Sequence, residues 1–312
     1  MGKTVNILFL GGAKRYSLAE RFITAGKELD CHVNIFSYEL DSDVPIAGIG
    51  KVIIGKRWND PELFTDLKKT IQKNSINIIL PFVDPSIGVL AEYKKIDSSV
   101  FVPVSDKTIC DTMFDKVLAN QWFIKNGIPV PDQETGFPLI AKPRKGSASQ
   151  GLIKINNKIE FDEFQQKHNI NDYLVQKFID AFEFTVDAYV SMNHKIIGVI
   201  PRRRIEVVMG EVIKAITEFD QNIIDISNKI LNSGNFIGPI TIQFLKDKST
   251  GAVYTMEINP RFGGGVLNSI EAGFNVPLIL LKEYLKMPVD PIINWRRNLL
   301  MLRTNREIFI CK

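Results

Sequence analysis

Through residues 1–111 the apolar positions fall in short runs, at 5–10, 33–38, 52–54, 76–80 and 101–104. Stretches with helical spacing, such as 61–73, separate several of them. Continuous apolar strands alternating with helices predict a parallel sheet buried on both faces. Ligands of such sheets sit beyond the carboxyl ends of the strands, where Gly11, Gly12, Glu39, Ser105 and residues 81–86 fall. A helix over 111–126, stopped by Gly127 and Pro129, and a turn-rich connector over 131–138 follow.

Beyond the connector the pattern changes. Strands are predicted over 139–142, 153–155 and 173–178. Two hairpins follow, 183–190 with 195–201 and 238–245 with 252–258, and a helix over 221–231 lies between them. The fold class is therefore α/β and α+β: a parallel-sheet domain over 1–111, then a mixed domain over 112–312.

Composition changes this picture little. The 45% apolar content supports packed cores, and 312 residues suffice for two or three domains. A net charge of +4 is too small to demand a polyanionic partner. Cys31, Cys110 and Cys311 show no CxxC spacing, and His32, His168 and His194 stand alone. Neither a zinc site nor a disulfide framework is expected, and a reducing cytosol fits best. The run at 5–10 is too short for a secretion signal, and no apolar stretch reaches membrane-spanning length. A cytoplasmic protein with no membrane partner is expected.

Two segments carry candidate chemistry. In the first, a strand delivers Lys142 into a loop of small residues, Gly146, Ser147, Ala148 and Gly151, whose backbone N–H groups can approach phosphate oxygens. It is no Walker A loop, because Leu152 stands where lysine should be. Taken alone, it also reads as a glycine-rich hairpin with solvated lysines. In the second, Glu257 and Asn259 point to one face of a strand, and Gln243 lies on the partner strand of the hairpin. Three oxygen-bearing side chains suit Mg²⁺, which prefers hard oxygen ligands and keeps water or phosphate oxygens as well. Arg261 follows and can grip a phosphoryl oxygen, while Gly263, Gly264 and Gly265 can bring backbone donors close to a substrate. A merely polar hairpin face is the competing reading.

Together these segments resemble the ATP-grasp superfamily, most nearly its carbamoyl-phosphate-synthetase large-subunit-like and PylC-like carboxylate–amine ligases. The likeness is strongest at Glu257-Ile258-Asn259-Pro260-Arg261. It implies a pre-ATP-grasp domain over 1–111 and an ATP-grasp domain over 112–312, with a small lid lobe over 112–178 and a metal-binding lobe over 179–312. It further implies ATP and Mg²⁺ as cofactors, with Mn²⁺ able to substitute. Lys116 and Lys142 would reach the ATP phosphates, and Gly146, Ser147 and Gly151 would form the lid loop. Gln176, Lys177, Phe178 and Ile179 would read the adenine from an interlobe hinge, and Glu183 would hold the ribose. Gln243, Glu257 and Asn259 would bind metal, and Arg261 would stabilise the transferred phosphoryl. Gln243 departs from the Asp or Glu that many members carry, so a second metal would bind more weakly.

Other readings stay open at several of these positions. Glu183 and Asp187 also read as solvent-facing carboxylates, and Asp115-Lys116 as a helix-terminal charge pair. Arg202, Arg203 and Arg204 form a basic cluster without interleaved aromatics, weak as a nucleic-acid signal. In the family context Arg202 or Arg204, on one face, would hold the substrate carboxylate or acyl phosphate. Asp84 would touch substrate, or simply sit in a capping turn. The expected activity joins a small carboxylic acid to an amine through an acyl phosphate, without nucleic acid and with a homodimer as the expected assembly. The rivals are a carbamoyl-phosphate-synthetase-like half-subunit acting on bicarbonate or carbamate and an ATP-binding regulatory module without turnover. The tail 295–312 reads as a final strand or an interface.

Overall fold

The computed structural model describes residues 2–133, 136–146, 151–208 and 210–310. Its first sheet has four parallel strands in the order β3-β2-β1-β4, where β1 is Lys3–Leu10, β2 Cys31–Glu39, β3 Lys51–Ile54 and β4 Ile78–Pro81. Helices α1 (Tyr16–Glu28), α2 (Leu63–Lys73) and α3 (Asp84–Ile96) cover it. The apolar runs are unbroken because both faces are buried. Val5, Ile7 and Phe9 pack on Leu18 and Phe22 of α1, while Leu8 and Leu10 share a core with Leu67 of α2 and Leu90 of α3. The run at 101–104 makes no strand; Phe101 contributes one isolated bridge to Ile78.

The helix expected over 111–126 is two helices, α4 (Lys107–Phe114) and α5 (Lys116–Lys125). Asp115 separates them. Its backbone is extended, and Oδ1 accepts from the N–H groups of Val117 and Leu118, an N-cap that ends one helix by starting the next. The expected division after residue 111 thus falls inside α4. Next comes a small sheet, β6-β5-β7, made of β5 (Leu139–Pro143), β6 (Ile153–Ile155) and β7 (Tyr173–Lys177), packed on α6 (Lys158–Lys167).

The largest sheet has six antiparallel strands in the order β12-β11-β8-β9-β10-β13. These are β8 (Ala181–Val190), β9 (Ile196–Val208), β10 (Glu211–Thr217), β11 (Gly238–Asp247), β12 (Val253–Asn259) and β13 (Leu300–Leu302). Strand alternation divides its two faces. Phe184, Val186, Ala188, Ile240, Ile242 and Phe244 point into a core with α7 (Gln221–Ser233) and α5. The intervening residues carry the polar groups described below. The arginine cluster lies on a strand, because β9 runs past the expected end at 201 to Val208 and pairs with β10. Helices α8 (Val266–Glu271) and α9 (Val276–Tyr284) then return to α1, so Phe262, Val266 and Leu280 share a core with Phe9 and Phe22. The two expected domains are therefore welded by one continuous apolar cluster. The tail supplies β13 and then crosses to the first domain, where Arg306 pairs with Glu20.

Candidate active site

The polar face of the large sheet brings the expected metal ligands together. Gln243 is directly opposite Glu257, and Thr241 opposite Asn259, with a bulge just beyond Gln243. Glu257 Oε1 accepts from Gln243 Nε2 at 2.8 Å and from Asn259 Nδ2 at 3.0 Å. Its Oε2 accepts from none of the described residues. One carboxylate and two amides converge, and the described residues hold no cluster of three or more His, Cys, Asp or Glu. This donor set fits a hard divalent cation that keeps water and phosphate oxygens of its own, provided both amides turn their oxygens inward. That turn exchanges O for N within one planar group.

Cations ring this cluster. Arg204 Nη1 donates to Gln243 Oε1 at 3.2 Å and lies 3.3 Å from Glu183 Oε2. Burial pulls the Arg204 pKa below its ordinary value. Arg261 is held by Asp84, at 2.7 Å from Nε and 2.6 Å from Nη2, which ties the glycine loop after β12 to the start of α3. Lys142 is buried, and its Nζ donates to Gln176 Oε1 at 3.1 Å. Burial lowers its pKa to about 8, against an opposing pull from Glu257.

Arg202 and Asp187 form a buried pair, with Nε to Oδ2 at 2.8 Å, and Ser269 Oγ donates to the same oxygen at 2.7 Å. The solvent-facing reading of Asp187 is therefore wrong: alternation puts it on the polar face, but that face is covered there by α8. Glu183, near the open end of the same strand, does face solvent, with 47% of its side chain exposed. Arg202 Nη1 is buried without a hydrogen-bond partner. Gly265 makes room for it, since a Cβ there would lie 2.6 Å from Nη1. A cavity of about 230 Å³ joins Glu257, Asn259, Arg202, Arg204 and Arg261 to the loop of Gly263, Gly264 and Gly265.

The small lobe places the remaining expected residues. Lys116 Nζ donates to the Gly146 carbonyl at 2.7 Å, and Asp115 Oδ2 pairs with Arg144 at 2.5 Å, so the start of α5 anchors the loop after β5. Gly146 has φ +120°, a conformation that favours glycine. Ser147 lies outside the described residues, as does Cys311. Gln176 is buried and donates from Nε2 to Asn120 Oδ1. In the expected hinge, Lys177 and Phe178 spend their N–H groups on the carbonyls of Asp132 and Pro138, while the Ile179 N–H donates to none of the described residues.

With this geometry in view, the relatives are informative. Residues 169–306 match a family described as ATP-grasp in the biosynthetic pathway with Ter operon. The N5-carboxyaminoimidazole ribonucleotide synthase of Staphylococcus haemolyticus is 28% identical over 45% of this chain and 38% of its own length. A D-alanine–D-alanine ligase of Petrotoga mobilis is 26% identical over 58% of this chain and 64% of its own. Both matches thus span less than two thirds of the relative. The crystal structure of N5-carboxyaminoimidazole synthetase from Staphylococcus aureus complexed with ADP superposes with a TM-score of 0.74 at 19% identity, over 97% of this chain and 83% of that one.

Residues 169–306 thus carry the match to an ATP-grasp family, and the chain as a whole shares the fold of that synthetase. The parallel, three-stranded and six-stranded sheets fall within residues 1–111, 112–178 and 179–312, the stretches expected for the pre-ATP-grasp domain and the two lobes of the grasp. Three residues that line the small cavity were not singled out from the sequence: Thr185, Thr241 and Arg15. Thr185 and Thr241 were recoverable from alternation, since each is two residues from a residue already singled out. Arg15 gave no local signal, because it comes from the loop after β1. Glu39, another strand-end candidate, turns inward: its carboxylate accepts from Ser37 Oγ at 2.6 Å and from the N–H groups of Gly12 and Ala13, while burial raises its pKa. No helix among the described residues is long and apolar enough to cross a membrane.

Proposed function

We propose that this chain is an ATP- and Mg²⁺-dependent ligase that converts a small carboxylic acid to an acyl phosphate and couples it to an amine. The observation that carries the reading is the polar face of the six-stranded sheet, where Glu257 lies between two amides and Arg204, Arg261 and Lys142 surround the group. Glu257, Gln243 and Asn259 would hold the cation, which supplies charge neutralisation on transferring phosphates when bound.

Phosphoryl transfer needs positioning and charge more than a protein nucleophile. Lys142, supported by Gln176, and Lys116 serve the ATP phosphates, with backbone groups of Gly146, Ser147 and Gly151 as further phosphate contacts. The hinge of Gln176, Lys177, Phe178 and Ile179 takes the base, with Ile179 N–H as its donor, and Glu183 the ribose. Arg204 and the unpaired Nη1 of Arg202 hold the acid, beside backbone groups of Gly263 and Gly264. Arg261, fixed by Asp84, stabilises the phosphoryl in flight. A carboxylate oxygen attacks the γ-phosphorus and ADP leaves. The amine nitrogen then attacks the acyl carbon, the C–O bond to phosphate breaks, phosphate departs with the electron pair, and the amine proton goes to solvent. The same reading takes the cytoplasm as its setting and a homodimer as its assembly.

The test is phosphate release from ATP with Mg²⁺ or Mn²⁺ across a panel of amino acids and small carboxylates. Release should need both an acid and an amine, and Glu257→Ala should lower it at least about 10²–10³-fold. ATP binding without turnover across the panel, or full activity in the variant, would overturn the assignment.

A further inference from the structure

Three cavities meet along the seam between the parallel-sheet domain and the six-stranded sheet. The smallest, about 230 Å³, adjoins Glu257. A second, about 490 Å³, opens against Glu39, Trp58 and Phe82, and a third, about 630 Å³, lies between the start of α1, Gly264 and the tail. Arg15 and Glu211 line all three.

Glu211 is already engaged by Arg303. Arg15 is not: its guanidinium forms no hydrogen bond or ion pair with any described residue, and it lies 5.7 Å from the centre of the Phe82 ring, which stacks on Phe262. Its neighbours along the seam are satisfied, Arg261 by Asp84, Arg306 by Glu20 and Arg21 by Glu271. Another anion-binding feature of this edge is the pair of N–H groups at Gly12 and Ala13, and the Glu39 carboxylate occupies it. Lys14 lines the two larger cavities as well, but Arg15 alone of the two also lines the small cavity beside Glu257, so an anion there meets Arg15. Burial, with Arg261 and Arg303 nearby, brings the Arg15 pKa down to about 10 against the opposing pull of Glu211 and Asp84, so the group is charged at neutral pH, and the two carboxylates near it are already paired with Arg303 and Arg261. Helix α1 begins at this residue with neither a side-chain cap nor an acidic residue in its first turn, which adds positive potential at the same place.

We propose that Arg15 reads an anionic group, carboxylate or phosphate, on the amine substrate, so that the acceptor is an amino acid or a phosphorylated amine rather than a plain amine. This rests on the ligase reading. The acid is held on the Glu257 and Arg204 side, so the amine reaches the acyl carbon from the adjoining space, and Arg15 lines both larger cavities as well as the small one. Loss of one charge-assisted contact of this kind corresponds to about a 10- to 100-fold loss of affinity.

The experiment measures ATP-dependent phosphate release by the full chain with matched acceptors: glycine and glycinamide, alanine and alaninamide, ethanolamine phosphate and ethanolamine. The acyl donors are N-acetylated amino acids and simple mono- and dicarboxylic acids. The wild type should prefer the anionic member of a pair at least about tenfold in kcat/KM. Arg15→Ala should erase that preference through KM for the acceptor, with KM for ATP and the melting temperature unchanged. Arg15→Lys should restore part of it, and Arg296→Ala, which removes an exposed cation of the largest cavity, should leave it intact. A preference confined to the amino acids identifies a carboxylate; one confined to ethanolamine phosphate identifies a phosphate. Release that ignores acceptor charge, or a preference that survives Arg15→Ala, overturns this proposal and leaves the ligase reading standing. Absence of release with every pair overturns both.

Discussion

The two large sheets spend their side chains differently. In the parallel sheet, Val5, Ile7 and Phe9 face one core while Leu8 and Leu10 face another, so no face remains for chemistry. What that domain contributes comes from loops beyond the strand ends, as Arg15 and Asp84 do. In the antiparallel sheet one face packs on α5 and α7, and the other carries Glu183, Thr185, Arg202, Arg204, Gln243, Glu257 and Asn259. Stability and function are thus separable by sheet, and within the second sheet by face. The charged pair of Asp187 and Arg202 is the exception, since it sits on the polar face with both side chains buried.

That exception gives the largest expected effect on stability. Asp187→Ala leaves the Arg202 guanidinium buried without its counter-charge and should cost about 3–5 kcal/mol in chemical denaturation. Replacing both partners, with Asp187→Leu and Arg202→Met, should recover most of the stability and none of the activity. If the single change costs under about 1 kcal/mol, the pair contributes nothing beyond surface level and the division by face is simpler than drawn here.

A slightly smaller loss should come from the first sheet without touching chemistry. Ile7 is fully buried and paired on both sides. Ile7→Ala should cost about 3 kcal/mol through lost burial and the cavity left behind. Turnover per folded molecule should not change, and a loss of kcat at temperatures where the variant is folded would show that the sheet transmits strain to the seam.

The same contrast explains what could be read from sequence. Unbroken apolar runs announce a sheet covered on both faces, so the parallel sheet was legible, and turn signals between strand patterns announced the two hairpins of the large sheet but not their joining with β10. Gln243, Glu257 and Asn259 could be grouped because strand period and hairpin register are local properties. The break at Asp115 was not legible, because an aspartate inside a helical pattern looks the same whether it is solvated or capping a new helix. The partnership of Arg261 with Asp84 spans 177 residues and follows from the shared core of Phe262, Phe82 and Phe9, which no local pattern encodes. Arg15 was invisible for the same reason: its meaning lies in what surrounds it after folding.

The smallest expected change sharpens the comparison most, because it moves stability and activity in opposite directions. Lys142 is buried with one neutral partner, Gln176, and its pKa falls from 10.5 to about 8. In the unfolded chain the lysine keeps its ordinary value, so the folded state binds fewer protons between about pH 8 and 10.5. The cost of burying the charge is therefore present in full below pH 8 and is relieved as pH rises through that window. Lys142→Met removes the charge but leaves Gln176 Oε1 without its donor. The variant should be about 1–2 kcal/mol more stable at pH 7, with the gain fading toward pH 10.5. Its activity should nevertheless collapse. In the wild type, kcat/KM for ATP should decline as pH rises through about 8, where the free protein gives up the proton, and Lys142→Arg should move that decline upward. A pH profile flat to 10, or a variant less stable at pH 7, would show that Lys142 is a structural cation and that the phosphates are met by Lys116 and Arg261 alone.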